Sequence, residues 1–289
     1  MSITAPPPIP EASSSEPSPL LDLEKHAASS LDELARRFFD DQGRIRASRP
    51  FTSPGARRAG DGPPSDSGTI FGVILARNEE PTIQAIIRAT QPFVHRVVVV
   101  DGHSTDRTAA MAEAAGAQVL HDRGRGKGDG IRTAIESLDA QVLVFIDADG
   151  SHDPRDIPQM VQPILDDQAD MVVGSRGRGG SDELHGDLYK LLRMIGSDII
   201  LLAINYRWNV RLTDSQNGFR AIRTSAARSL RLRSDITTIE QEMTMKCLRH
   251  GFRIAEIPTH EYARHFGQSV ISLRKVWFRY IWNVIATLL

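Results

Sequence analysis

The sequence predicts an α/β fold with a mostly parallel sheet flanked by helices. Three observations carry that expectation. After Gly68, continuous apolar runs of strand length recur, as strands buried on both faces require. Stretches with helical spacing separate those runs, which is the alternation of an α/β fold. Polar residues gather where four of the runs end, at Asn78 to Glu80, Asp101 to Ser104, Asp147 to Asp149 and Gly174 to Arg176. Ligands of open parallel sheets bind beyond the carboxyl ends of the strands, so one shared crevice is expected there.

The elements follow in order. "TIFGVILA" reads as the first strand and "PTIQAIIRAT" as the first helix, with Pro81 in its opening turn. "RVVVVD" is a second strand. "STDRTAAMAEAAG" opens with capping residues and closes on Gly116, as a helix should. "AQVLHD" reads as a third strand, "DGIRTAIESL" as a helix and "QVLVFIDAD" as a fourth strand. "PRDIPQMVQPILDD" follows as a helix and "DMVVGS" as a fifth strand. Further on, "DLYKLLRMIGSDII" and the stretch from Ile239 are helical.

The flanks differ in kind. "MSITAPPPIPEASSSEPSP" lacks the basic and apolar regions of a signal peptide and is expected to be disordered. Within residues 20–41, Leu31, Leu34, Ala35 and Phe38 stand at helical spacing, so a short amphipathic helix is expected, packed on the domain surface or serving a partner. The Pro-, Gly- and Ser-rich segment ending at Gly68 reads as a linker. The expected division is an N-terminal arm at 1–68, a folded domain at 69–269 and an amphipathic tail at 270–289.

Composition narrows the function classes. The 289 residues are 40% hydrophobic and 25% charged with a net charge of −1, an ordinary globular balance that gives no general reason to expect nucleic acid as a partner. Cys247 is the single cysteine, so there is no intrachain disulfide or cysteine zinc cluster, and a reducing, cytoplasmic setting is expected.

Two motifs carry chemistry. In "FIDADGSHDP", Asp147 and Asp149 fall on one side of the strand if it stays extended. Carboxylates that close repel unless a cation or a proton relieves them, and hard oxygen ligands suit Mg²⁺ or Mn²⁺ bridging phosphates. The competing reading is a pair that caps the following turn. In "HDRGRGKGDGIR", Gly124, Gly126, Gly128 and Gly130 would let backbone approach a ligand, while Arg125 and Lys127 meet phosphate. The stretch fits neither a Walker loop nor a dinucleotide fingerprint. It is a diphosphate site or a mobile basic loop; beside a metal-binding pair, a nucleotide diphosphate is the natural ligand.

These motifs recur in a known order. "ARNEEPTIQAII", "VVVVDGHSTDRT", "GKGDGIRTA", "VLVFIDADGSHDP", "MVVGSRGRGG", "TDSQNGFRAIR" and "GFRIAEIPTHEYARHFGQS" resemble family 2 glycosyltransferases of the GT-A fold. Within that family the likeness is to dolichyl- or polyprenyl-phosphate mannosyl- and glucosyltransferases. It implies that Glu79 and Asp101 hold the nucleoside of a sugar nucleotide, that Lys127 lies by its diphosphate, and that Asp147 and Asp149 bind the metal. It further implies that Arg176, with Arg193 and Ser197 on one helical face, meets the acceptor phosphate, and that Arg264 lies near the phosphates. Asp214 resembles an acceptor-side position, although "TDSQNG" also suits a turn held by Asp214 and Asn217. Two departures stand out. Ser151 occupies the place of a glutamine that supplies a further metal contact in many members, with His152 or water as substitutes. Val270 follows Ser269 where many members have lysine.

The implied reaction is metal-dependent, inverting transfer of a hexose to polyprenyl phosphate, whose dianion needs no protein base to attack. Glu240 and Glu242 begin a helix, where acidic residues serve the dipole as readily as catalysis. In "VISLRKVWFRYIWNVIATLL", Trp277, Phe278, Tyr280 and Trp282 with Arg274, Lys275 and Arg279 suit an interfacial helix too short to span a bilayer; packing on its own domain or a second subunit is the other reading. The enzyme is therefore expected on the cytoplasmic face of the membrane. Rival functions are a transferase for a soluble acceptor such as a phosphoglycerate, and a silent nucleotide-sugar-binding subunit.

Overall fold

The computed structural model describes residues 32–46, 69–182 and 188–263, with the side chains of 188–193 left aside. The expected tail at 270–289, Arg264 and most of the N-terminal arm lie outside these residues.

A helix α1 at 32–38 precedes the sheet. Then come β1 (Ile70–Ala76), α2 (Ile83–Thr90), β2 (Arg96–Asp101), α3 (Thr108–Ala114), β3 (Gln118–His121), α4 (Lys127–Ser137) and β4 (Val142–Asp147). They are followed by α5 (Ile157–Leu165), β5 (Met171–Ser175), α6 (Arg176–Gly179), α7 (Leu188–Trp208), β6 (Arg220–Arg223), α8 (Thr224–Ser229), α9 (Ile239–Arg249) and β7 (Ile254–Pro258). The strands form one sheet in the order β3-β2-β1-β4-β6-β5-β7. Only β6 runs antiparallel to its neighbours, β4 and β5.

Strand periodicity sorts the core into two layers. Val97 and Val99 face one side with Ile70, Ile74, Val144 and Val172, against α2, α3 and α5. Val98 and Val100 face the other with Val73, Phe145 and Val173, against α4, α8 and α9. Burial on both faces is what the unbroken apolar runs predict. Leu34 and Phe38 of α1 belong to the first layer and are fully buried, so residues 32–46 share the core of the sheet. Ala35, expected on the same face, is exposed. Gly116 ends α3 with φ +84°, the left-handed C-terminal position that favours glycine. Helix α2 starts two residues after Pro81, which lies in the preceding turn.

Candidate active site

The parallel register sets four strand ends level. Ala76 pairs with Asp101, Leu75 with Asp147 and Asp101 with His121. The chain leaves β1 toward β2 and β3 on one side and returns to β4 on the other, so the crevice expected at such a reversal opens above β1 and β4.

Beyond β1 and β2 two loops interlock. Asn78 adopts φ +57°, its N–H donates to Ser104 Oγ at 2.9 Å, and its Oδ1 accepts from the Thr105 N–H at 2.8 Å. The Glu79 N–H donates to Thr108 Oγ1 at 2.9 Å. Glu80 accepts from the Arg107 N–H and guanidinium. Asp101 is buried; its Oδ2 accepts from the Ser104 N–H at 3.1 Å and lies 3.4 Å from His121 Nδ1. Its Oδ1 has no hydrogen-bond partner among the described residues. A buried carboxylate oxygen left open in this way is costly unless a ligand donor meets it.

At the centre, Lys127 Nζ lies 2.7 Å from Asp147 Oδ1 and 2.8 Å from Glu240 Oε1. Burial alone would lower the pKa of Lys127, but the two carboxylates outweigh it and hold the ammonium above its ordinary range. Burial would likewise raise Asp147, yet Lys127, with His152 beside it, holds the carboxyl well below the carboxylate range. Gly218 closes over this pair: a Cβ there would lie 2.7 Å from Asp147 Oδ2 and 2.8 Å from Lys127 Nζ.

The strand stops at Asp147 and residues 148–149 turn, so the period-two condition that would put Asp147 and Asp149 on one face is not met. The turn orients Asp149 instead: its Oδ1 accepts from the Ser151 N–H at 3.0 Å and from Ser151 Oγ at 2.6 Å. His152 is buried with Nε2 3.7 Å from Asp147 Oδ2, stacks on Phe219 at 5.3 Å, and has an Nδ1 with no partner among the described residues. Hard oxygens from Asp147, Asp149 and Ser151, with an orphaned buried imidazole nitrogen nearby, fit a divalent ion such as Mg²⁺ or Mn²⁺. Among the described residues no three His, Cys, Asp or Glu side chains are gathered into a ready metal cluster; water and donor phosphate would complete the shell.

Residues expected on the acceptor side form a second cluster. Arg176 is bidentate on Asp214, with Nε 2.6 Å from Oδ2 and Nη2 3.1 Å from Oδ1, and its Nη1 is 3.3 Å from Glu261 Oε1. Burial disfavours both charges, but the mutual pairing raises Arg176 and lowers Asp214. Asp214 Oδ1 also accepts from the Gln216 and Asn217 N–H groups, so the turn reading of that loop holds together with its place beside Arg176. Ser197 of α7 donates to Gln216 Oε1 at 3.1 Å. Arg193 is on the same helix one turn earlier.

The glycine-rich stretch differs from expectation. Gly124 and Gly126 have left-handed φ, but α4 begins at Lys127, so Lys127, Gly128 and Gly130 are helical. A Cβ on Gly126 or Gly128 would collide with the backbone of Ser234 and Asp235; these glycines serve packing against that segment. Glu240 stands in the first turn of α9, where the dipole favours an acid, and also pairs with Lys127 across the crevice. Nothing local in the sequence couples residues so far apart.

The mostly parallel seven-stranded sheet flanked by helices matches solved glycosyltransferases of the GT-A fold. The family model for glycosyl transferase family 2 matches residues 73–231, and the chain belongs to that family. It is an enzyme that transfers from a nucleotide sugar. An uncharacterized Methanocaldococcus jannaschii protein is 30% identical over 223 residues, covering 73% of this chain and 90% of that one. UDP-N-acetylglucosamine--dolichyl-phosphate N-acetylglucosaminyltransferase of Methanococcus voltae is 27% identical, covering 73% and 94%. The glucosyl-3-phosphoglycerate synthase of Mycobacterium tuberculosis, crystallised with Mn²⁺, UDP and glucosyl-3-phosphoglycerate, superposes with TM-score 0.60 at 23% identity, covering 76% of this chain and 80% of that one.

Proposed function

We propose that this enzyme transfers a hexose from a nucleotide sugar to polyprenyl phosphate, with inversion, at the cytoplasmic face of a membrane. One observation carries the reading. The loop 214–218 touches Arg176 through Asp214, Ser197 through Gln216, and the Asp147–Lys127 pair at Gly218. Residues assigned to the acceptor phosphate and to the donor diphosphate thereby border one five-residue loop. Similarity to a dolichyl-phosphate transferase over nearly its whole length supports the lipid phosphate.

In this reading Glu79 and the open Oδ1 of Asp101 hold the nucleoside. Asp147, Asp149 and Ser151 would hold Mg²⁺ or Mn²⁺, which supplies Lewis-acid stabilisation of the leaving diphosphate when bound. Lys127 exchanges part of its pairing with Asp147 for the diphosphate while Glu240 keeps it in place. Arg176 and Ser197 would meet the acceptor phosphate, a role the family resemblance also assigns to Arg193, as it assigns Arg264 to the phosphates. That phosphate is a dianion at neutral pH. Its oxygen attacks the anomeric carbon as the bond to the diphosphate breaks on the opposite face, and positioning with charge compensation does the catalysis.

Among the described residues no helix is long and apolar enough to cross a membrane. Helix α7, which carries Ser197, exposes Ile195, Ile199, Leu202 and Tyr206 in one stripe, a face suited to a lipid-bearing acceptor. The test is transfer of labelled sugar from GDP-mannose, UDP-glucose and other donors to detergent-dispersed polyprenyl phosphate, with and without Mn²⁺. Metal-dependent label in the organic phase is expected. Label transferred only to a soluble phosphorylated acceptor, or none with any donor, would overturn the reading in favour of the rival transferase or a silent subunit.

A further inference from the structure

The turn that carries Asp149 is held from outside the residues matched by the family model. Arg37 of α1 donates from Nη1 to the Gly150 carbonyl at 2.8 Å, and its guanidinium lies 4.1 Å over the ring of Tyr262. The Tyr262 N–H in turn donates to the Ser151 carbonyl at 2.9 Å. Two successive carbonyls of the turn are thus fixed by two residues that stack on each other, one from each flank of the matched region at 73–231.

The covalent geometry gives this contact its meaning. The Gly150 carbonyl and the Ser151 N–H belong to one peptide unit, which is planar. Arg37 holds the oxygen end of that unit, and its N–H end donates to Asp149 Oδ1 at 3.0 Å. Gly150 has φ +77°, a conformation open to glycine and from which the peptide can readily rotate away. If the carbonyl turned, the N–H would turn with it and break its bond to Asp149 Oδ1.

Arg37 is itself firmly placed. Leu34 and Phe38, on either side of it in α1, are fully buried in the core. After the helix the chain folds back, the Arg46 N–H donating to the Phe38 carbonyl at 2.8 Å and Phe39 bridging Ile45. Arg155 Cζ lies 5.9 Å from the Phe38 ring and its side chain is clamped on Asp153, so α1 also packs against the chain that leaves the turn.

We infer that residues 32–46 are a brace for the Asp149 turn, with Arg37 as a positioning residue that sets the Gly150–Ser151 peptide plane and through it the direction of the Asp149 carboxylate. The brace gains its catalytic meaning from the reading of Asp149 as a metal-site residue, but the conformational claim stands on contacts of this chain alone.

The experiment is hydrogen exchange on the full chain, free of metal and donor, comparing wild type with Arg37→Met, which keeps the apolar stem, and Arg37→Lys, which restores a donor. Exchange in the peptide containing 148–152 should accelerate about five- to tenfold in Arg37→Met, the worth of one net hydrogen bond, while the β1, β2 and β4 peptides stay at wild-type rates and Arg37→Lys recovers part of the protection. Unchanged exchange at 148–152, or acceleration spread evenly over the sheet, overturns the brace. A Mn²⁺ titration on the same proteins, read by the signal of free Mn²⁺, should show weaker binding by Arg37→Met. Wild type that fails to bind Mn²⁺ would overturn the metal reading of Asp149, whereas equal Mn²⁺ affinity in wild type and Arg37→Met would overturn the positioning role.

Discussion

Lys127 Nζ lies 2.7 Å from Asp147 Oδ1, joining the first residue of α4 to the last residue of β4 across the mouth of the crevice. The lysine is a ready counter-charge for a diphosphate, and Glu240 keeps it there from the other side. Lys127→Met removes the charge and keeps much of the stem. The expected result is a fall of about 10²–10³ in kcat/KM with the donor, the scale of losing one preorganised electrostatic contact. Initial rates at varied donor concentration measure it; a rate within twofold of wild type would remove Lys127 from the diphosphate site.

Gly218 and Gly179 offer a contrast between site and scaffold. At Gly218 the atoms nearest the new methyl would be the Asp147 carboxylate and the Lys127 ammonium, whereas at Gly179 they would be the Thr259 backbone. Gly218→Ala should therefore fold with a midpoint within a few degrees of wild type and lose at least about tenfold in activity, since small displacements of reacting groups are expensive. Gly179→Ala should instead lose stability outright. Thermal melts and transfer assays on the two variants separate these outcomes.

Arg176 and Asp214 form a bidentate pair in which the carboxylate is buried and the guanidinium partly exposed. Asp214→Asn leaves the guanidinium with Glu261 as its remaining carboxylate and is expected to cost about 1.5–3 kcal/mol, the scale of losing hydrogen bonds to a charged group. Urea unfolding measures this. Arg176→Lys loses the fork that a planar guanidinium offers. If Arg176 meets the acceptor, that variant should raise the KM for polyprenyl phosphate while leaving the KM for the donor near wild type.

How much of this was legible in the sequence depends on the range of the interactions. Strands β1, β2, β4 and β5 are written as continuous runs such as "VVVV", because burial on both faces leaves no room for polar residues. Strands β6 and β7 have no such run. The first is only Arg220–Arg223, and its opening residue is a fully buried arginine whose guanidinium donates to the carbonyls of Asn217 and Glu240, a cost no local pattern announces. The carboxylates at the strand ends could be found because the sheet places its ligands there. Pairings between distant residues, such as Glu240 with Lys127 or Arg37 with the Gly150 carbonyl, depend on the packed fold. The glycines at 126 and 128 carried the right signal for close approach, but what approaches is the chain at 234–235.

Asp156 provides a pH test outside the proposed metal site. Burial, reinforced by the neighbouring Asp153 charge and opposed by Arg155, pushes its carboxyl up to about 7. In the unfolded chain the same group titrates near its ordinary value of 3.8. The sign follows from linkage: the folded state holds this proton more tightly, so the stability contributed is complete below the unfolded pKa and is lost as pH rises through about 7. Above that pH the folded protein carries a poorly solvated carboxylate beside Asp153, a burden the neutral amide of Asp156→Asn avoids. The difference in melting temperature, Asp156→Asn minus wild type, should therefore grow between pH 5 and pH 8.5, by at least about 2 °C on the usual scale relating stability to melting temperature. Taking the difference between two proteins cancels every other group that titrates alike in both. A difference independent of pH would show that Asp156 ionises in the fold as it does in water.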